Sequence, residues 1–331
     1  MDPFGYKGTS VEQIWQLVHN VGSDCVFFFN ASIICDYEIK YYVILKGGDD
    51  MTNNLILNRL FTQSYFQQLI YNNNNNIYYS ILRKYNINGE NNKEAIQKIY
   101  NVLRESYRNE YYYKNTILNK LLLGVHSINT TTALTELPVA SSKADFVLIN
   151  GKAVVYEIKT ELDNLERLQG QIDNYYKAFD YVCVLTCEEY LDDILDKYKS
   201  TNVGVYLLSK KETIKRIKEP IKYDLDLDMS SVFKILNKPE YERIILSYYE
   251  ELPQVSQVKY YGKCRELFLA MPQDTAYKMF LEQLKTRNSI INKKSFYELP
   301  YELKSLVYFS KFKRSDYDYL KIFLNSEIGG N

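Results

Sequence analysis

Asp145, Glu157 and Lys159 are the residues of this 331-residue chain whose types and spacing best suit phosphodiester hydrolysis. That reaction needs an activated water and a counter-charge for the phosphate and the leaving oxygen. A divalent metal ion supplies both, because it acidifies a bound water and bridges phosphate oxygens. Mg²⁺ takes one or two carboxylates and keeps several waters. A neighbouring lysine stabilises the negative charge that develops. Glu157 and Lys159 stand two apart at the end of an apolar run, Ala153 to Ile158. On a strand both point to one face. Asp145 opens a second run, Asp145 to Ile149, and the Asn150-Gly151 pair between the runs is a strong hairpin signal. The register then matters. A plain two-residue turn sets Asp145 opposite Tyr156, on the wrong face. One extra residue, which Gly151 permits, sets Asp145 opposite Glu157. The chemistry requires the second register or a strong local twist.

The surrounding pattern supplies elements to hold these residues. Apolar residues at helical spacing mark Val11 to Val18, Leu55 to Tyr71, and about Lys93 to Leu123. Cys25 to Leu45 is ambiguous between strand and helix. After the hairpin, Asp163 with Glu166 three residues on reads as a capping-box-like helix start. The helix that follows carries Leu165, Leu168, Ile172, Tyr175 and Phe179 on one face. Tyr181 to Leu185 is a continuous apolar run, as in a strand buried on both faces. A short helix near Glu189 to Tyr198 and a strand at Val203 to Leu208 complete the pattern. The expected fold is α/β, with a mixed central sheet flanked by helices. Three regions are expected: a mostly helical 1–92, a core at 93–209, and a helical 210–331 that opens with a charged linker, Lys210 to Asp228.

With these residues in place, the chain resembles the PD-(D/E)XK nuclease superfamily. The resemblance rests on Ala144-Asp145, on Tyr156-Glu157-Ile158-Lys159, and on Gln171-x-x-x-Tyr175. The last looks like the Q-x-x-x-Y signature of the exonuclease-like branch. Tyr107-Arg108-Asn109-Glu110-Tyr111, Thr135-Glu136-Leu137 and Glu157 to Asp163 are similar to a family of uncharacterised bacterial nuclease-like proteins. The resemblance implies a restriction-endonuclease-like core. It implies Asp145, Glu157 and the Ile158 carbonyl as ligands of Mg²⁺ or Mn²⁺, with Glu110 or Glu136 completing the set. Gln171 and Tyr175 would hold the site and the substrate. The chain departs from the pattern at Ala144, where the family name has proline.

Other features have ordinary readings. Glu38-Ile39-Lys40 repeats the tripeptide, with Asp24 upstream and Gln67-x-x-x-Tyr71 downstream, but no hairpin signal lies between Asp24 and Glu38. Glu110 and Lys114, at i and i+4, read as a surface ion pair. Arg167 reads as a solvated side chain. Asp224, Asp226 and Asp228 lack the glycine and distal glutamate of a calcium loop. Five cysteines without a C-x-x-C, and two separated histidines, argue against a disulfide framework or a zinc site. A cytoplasmic location is expected, with no signal peptide and no membrane span. The 33 tyrosines and the Asn72 to Asn76 run match AT-rich codon usage.

Lys and Arg total 41, equal to Asp and Glu at 41, so no global field draws the chain to nucleic acid. A local patch would have to hold it. Lys285 to Arg314 contains eight Lys/Arg and two Glu interleaved with Phe296, Tyr301, Tyr308 and Phe312. That stretch suits either a nucleic-acid surface or a solvated face over an aromatic core. The leading expectation is a Mg²⁺- or Mn²⁺-dependent nuclease acting on DNA in preference to RNA, in phage defence or mobile-element biology. A homodimer or a partner protein is allowed. The alternatives are an RNase of the abortive-infection kind and a non-catalytic nucleic-acid-binding scaffold.

Overall fold

A computed structural model describes residues 25–26, 44–45, 51–72, 75–223, 227–288 and 290–328. Two compact units divide the chain, Met1–Ile56 and Leu57–Asn331. In the first, β1 (Cys25–Val26) pairs antiparallel with β2 (Ile44–Leu45), which resolves the ambiguous segment as strand at these positions. The Val11 to Val18 periodicity and the Glu38-Ile39-Lys40 repeat lie outside the described residues.

The second unit is α/β. Its N-terminal helices are α1 (Met51–Leu60, which begins in the first unit), α2 (Gln63–Ile70), α3 (Asn76–Lys84), α4 (Asn92–Ser106) and α5 (Glu110–Ile117). The expected continuous helix from Lys93 to Leu123 is therefore interrupted at Tyr107–Asn109. Asn109 explains the restart, because its side chain accepts the Tyr112 N–H and caps α5. A π-helical turn, Leu118–Leu122, ends this run.

Six strands follow: β3 (Thr132–Val139), β4 (Ser142–Asn150), β5 (Lys152–Lys159), β6 (Tyr181–Thr186), β7 (Gly204–Leu208) and β8 (Ile214–Lys218). They lie side by side in that order. β3, β4 and β5 form an antiparallel meander. β5, β6 and β7 are parallel, and such strands need crossovers. Helices α6 (Leu168–Tyr175) and α7 (Leu191–Tyr198) supply them. β8 returns antiparallel at the far edge.

β8 corrects the reading of Lys210 to Asp228 as a linker. Its sequence, Ile-Lys-Arg-Ile-Lys, looks solvated because an edge strand is protected by charge. The C-terminal helices are α8 (Met229–Ile235), α9 (Lys238–Tyr249), α10 (Gln257–Ala270), α11 (Gln273–Lys285), α12 (Lys293–Tyr297), α13 (Lys304–Phe309) and α14 (Arg314–Asn325). Phe233, Phe268 and Phe280 from α8, α10 and α11 share one core with Val147, Val155 and Val184 of the sheet. On α14, Phe323 accepts a hydrogen bond from Asn92 at the start of α4 and meets Phe66 of α2 edge-on. The expected boundaries at 92 and 209 therefore do not separate compact units. No described helix is long and apolar enough to cross a membrane.

Candidate active site

The hairpin takes the register that the chemistry demands. Phe146 pairs with Tyr156 and Asn150 with Lys152, leaving Gly151 at the tip with φ of 71°. Glycine adopts that left-handed conformation without strain. Continued by one pair, this register sets Asp145 opposite Glu157. Side chains alternate along each strand, so Asp145, Val147 and Ile149 share a face with Val155, Glu157 and Lys159. Core residues occupy one end of that face. The acidic and basic residues occupy the other, at the carboxyl end of β5, where they line a cleft of about 1100 Å³.

Helix α6 locks two of them. Gln171 and Tyr175 are one turn apart and reach the same face. Lys159 Nζ donates to Gln171 Oε1 at 3.0 Å and lies 2.9 Å from Glu157 Oε1. The Tyr175 hydroxyl is 2.6 Å from Glu157 Oε2 and 2.6 Å from the Lys143 carbonyl. With one proton, it donates to one of them at a time. Burial, then the Glu157 carboxylate, pushes this hydroxyl far above the usual tyrosine range, so it stays a donor. Both oxygens of Glu157 are thus engaged, and its side chain is only 1% exposed.

Asp145 is in a different position. Its Oδ2 accepts the Ile158 N–H at 2.8 Å. Burial, then the charges of Glu157 and Glu110, pushes its carboxyl well above the ordinary range; the Ile158 N–H opposes the shift. Like-charge crowding of this kind is what a divalent cation relieves. Carboxylate oxygens of Glu110, Glu136 and Asp145 all lie within 4.8 Å of one another. Glu136 takes φ of 52° inside β3, between the pairs Thr135–Phe146 and Leu137–Ala144. A non-glycine residue held in that region costs about 1–3 kcal/mol and persists where the surroundings fix it. The all-oxygen donor set fits Mg²⁺ or Mn²⁺, with Asp145, Glu110 and Glu136 as the residues best placed to hold it. Glu157 stands outside that group.

Lys114 is the residue that sequence reasoning undervalued. Its ammonium lies 2.5 Å from both Glu110 and Glu136, and its side chain is only 13% exposed. It is therefore a bridge between α5 and β3 rather than a surface partner of Glu110. Burial alone would lower its pKa, but the two carboxylates more than offset this and raise it. The i, i+4 spacing revealed its contact with Glu110; nothing local could reveal its contact with Glu136. Arg108 fixes the start of α5 beside the site. It pairs with Glu161 at 2.9 Å and donates to the Leu208 carbonyl at 2.9 Å.

Two sequence readings change here. Asp163 does not cap a helix: its carboxylate accepts from Thr160 N and Oγ1 and closes the turn after β5. Helix α6 begins five residues later, after Arg167. Arg167, read as solvated, is exposed but lines the cleft. Gln63, Ser305 and Phe309, which no motif marked, also line the cleft, together with Gln67 of the Gln67-x-x-x-Tyr71 pair. Asp228 caps α8 through Ser230 N; Asp224 and Asp226 lie outside the described residues. Among the described cysteines, Cys183, Cys187 and Cys264 are buried and free.

The role of Glu157 is open to a binding measurement. A neighbour that orients a metal ligand contributes about 10–100-fold to affinity. Tyr175→Phe is expected to weaken Mn²⁺ binding by roughly tenfold, and Glu157→Ala by more. Calorimetric titration of both variants checks this. Wild-type affinity in both would remove Glu157 from the ligand set and leave Glu110, Glu136 and Asp145.

Comparison with known proteins adds a family. Protein cII of Enterobacteria phage P4 is 31% identical over 80 residues, which cover 24% of this chain and 30% of that protein. The alignment thus spans less than a third of the relative's length. No solved structure matches. The profile of the family described as bacteriophage P4 protein cII matches residues 103–298. That segment is more than half of the chain and contains Glu110, Glu136, Asp145, Glu157, Ile158, Lys159, Gln171 and Tyr175; the chain belongs to the bacteriophage P4 protein cII family.

Proposed function

We propose that this protein is a Mg²⁺- or Mn²⁺-dependent nuclease of the PD-(D/E)XK type that hydrolyses phosphodiester bonds, with DNA ahead of RNA as substrate. The observation that carries the reading is the convergence of Asp145, Glu157, Lys159, Glu110 and Glu136 on one cleft. A divalent ion bound there would acidify a water and shield the phosphate. The chain's own residues do the rest. Lys159, held by Gln171, presents a fixed ammonium to the charge that grows on the phosphate. Tyr175 fixes the Glu157 carboxylate. The Ile158 N–H fixes Asp145, leaving its other oxygen for the ion. Membership of a phage protein family fits a role in phage or mobile-element biology.

A second reading has its own support. Glu157 and Lys159 neutralise each other in a buried pair. A nuclease fold retained only as a nucleic-acid-binding scaffold would keep such a pair for structure. A panel of labelled single- and double-stranded DNA and RNA decides between them. The nuclease reading expects cleavage that requires Mg²⁺ or Mn²⁺ and stops with a chelator. Binding without cleavage of any substrate favours the scaffold.

A further inference from the structure

The catalytic cleft does not end at Glu136. A second cavity of about 660 Å³ shares Thr135, Glu136 and Phe309 with the first, so the two meet at β3. β3 is an edge strand of the six-stranded sheet, and its outward backbone groups have no strand partner among the described residues. The first cavity alone exceeds the ~300–1,000 Å³ of ordinary small-molecule pockets, and the two together suit a polymer.

The charges differ between the two limbs. In the catalytic cleft, Lys114 and Lys159 are already neutralised by carboxylates. In the second limb, Arg287 is likewise spent on Glu240 at 2.6 Å and on the Ile235 carbonyl. Arg243 and Lys311 form no ion pair among the described residues, although Arg243 lies close enough to Glu240 to help hold that carboxyl down. Arg243 is exposed and commits only its Nε, to Gln283 at 2.7 Å. Lys311 is exposed in the turn after α13, at φ of 51°, and has no hydrogen bond or ion pair among the described residues. At the junction stands Phe309, half-buried, with its ring braced edge-on against Phe146 and Tyr308. A braced aromatic between a reactive cleft and two exposed cations is the arrangement that holds a single strand: bases stack on the ring and phosphates meet the cations.

We propose that the two cavities form one track for a single nucleic-acid strand, with Phe309 under a base and Arg243 and Lys311 on the phosphates of the segment leaving the catalytic cleft past Glu136. The proposal rests on the nuclease reading of that cleft. It also assigns part of the basic and aromatic stretch Lys285 to Arg314. Phe296, Tyr308 and Phe312 serve the core there, while Lys311 and the partly open Phe309 face the track.

The test uses the full chain, with wild type and the double variant Arg243→Glu/Lys311→Glu. Fluorescence anisotropy follows labelled single strands of about 16 and about 4 nucleotides, as DNA and as RNA, with Ca²⁺ as the divalent ion. The long strand is expected to bind the variant roughly tenfold or more weakly at low salt, with the slope of log affinity against log salt smaller by about 1.4. The short strand, held in the catalytic cleft, should bind both proteins alike and be cut at the same kcat in Mg²⁺. Arg243→Gln/Lys311→Gln should show half the loss and guards against a folding defect. Unchanged affinity and salt slope for the long strand overturn the track while leaving the nuclease reading in place, and so does a wild-type preference for duplex. If wild type neither binds nor cuts any strand, both readings fall.

Discussion

Lys159→Ala is expected to slow cleavage by on the order of a hundredfold or more, because its ammonium acts on charge present only in the transition state. The structure adds a complication that the experiment must absorb. Lys159 and Glu157 form a buried pair, with side chains 8% and 1% exposed. Removing one partner of such a pair leaves the other uncompensated and costs about 3–5 kcal/mol of stability. Cleavage should therefore be measured with saturating metal ion, beside circular dichroism and thermal melts of each variant. Lys159→Arg separates the two effects. It keeps the positive charge and most of the stability, but its planar fork cannot reproduce a point charge held by Gln171. Its rate should stay low. Lys40→Ala is the control, since Glu38-Ile39-Lys40 repeats the tripeptide without a hairpin signal between Asp24 and Glu38; its rate should be nearly that of wild type. A Lys159→Ala that cuts normally, with a dead Lys40→Ala, would move the catalytic centre to the N-terminal region.

The parts of this site that could be read in advance are those encoded locally. Apolar runs marked β4 to β7, and Asn150-Gly151 marked the hairpin. Spacing put Glu157 with Lys159, and Gln171 with Tyr175. The structure joins these pairs through two direct contacts, Lys159 to Gln171 and Tyr175 to Glu157. What failed had competing local physics. Asp163 and Glu166 satisfy a capping pattern, yet the Asp163 carboxylate takes the nearer Thr160 donors and makes a turn instead. β8 hid behind the charges that protect an edge. What was missed altogether is non-local. Lys114 meets Glu136 across 22 residues, and Phe309 reaches the cleft from a helix 150 residues after Lys159. No period or motif carries such contacts.

Asp145→Asn should abolish metal-dependent cleavage and, in metal-free buffer, make the protein more stable. Asparagine keeps the shape and can still accept the Ile158 N–H through its amide oxygen. It removes a carboxylate that burial and the charges of Glu157 and Glu110 disfavour in the ionised form. The sign with pH follows from the raised pKa. The folded protein holds this proton more tightly than the unfolded chain does. The stabilisation linked to it is complete below the unfolded carboxyl range and is lost as pH rises through the folded value. Wild type therefore carries the penalty at neutral pH and sheds it in acid, and its deficit relative to Asp145→Asn should narrow as pH falls. A divalent ion reverses the order. At a hundredfold excess over its dissociation constant it stabilises wild type by about 2.7 kcal/mol. At about 2–4 °C of Tm per kcal/mol, that shift is readily seen, and a variant without the central ligand should show little of it. Thermal unfolding of both proteins, with chelator and with Mn²⁺, across neutral to mildly acid pH, gives the answer. A less stable Asp145→Asn in chelator would mean that Asp145 is a structural hydrogen-bond acceptor. An equal Mn²⁺-induced rise in both proteins would place the ion elsewhere.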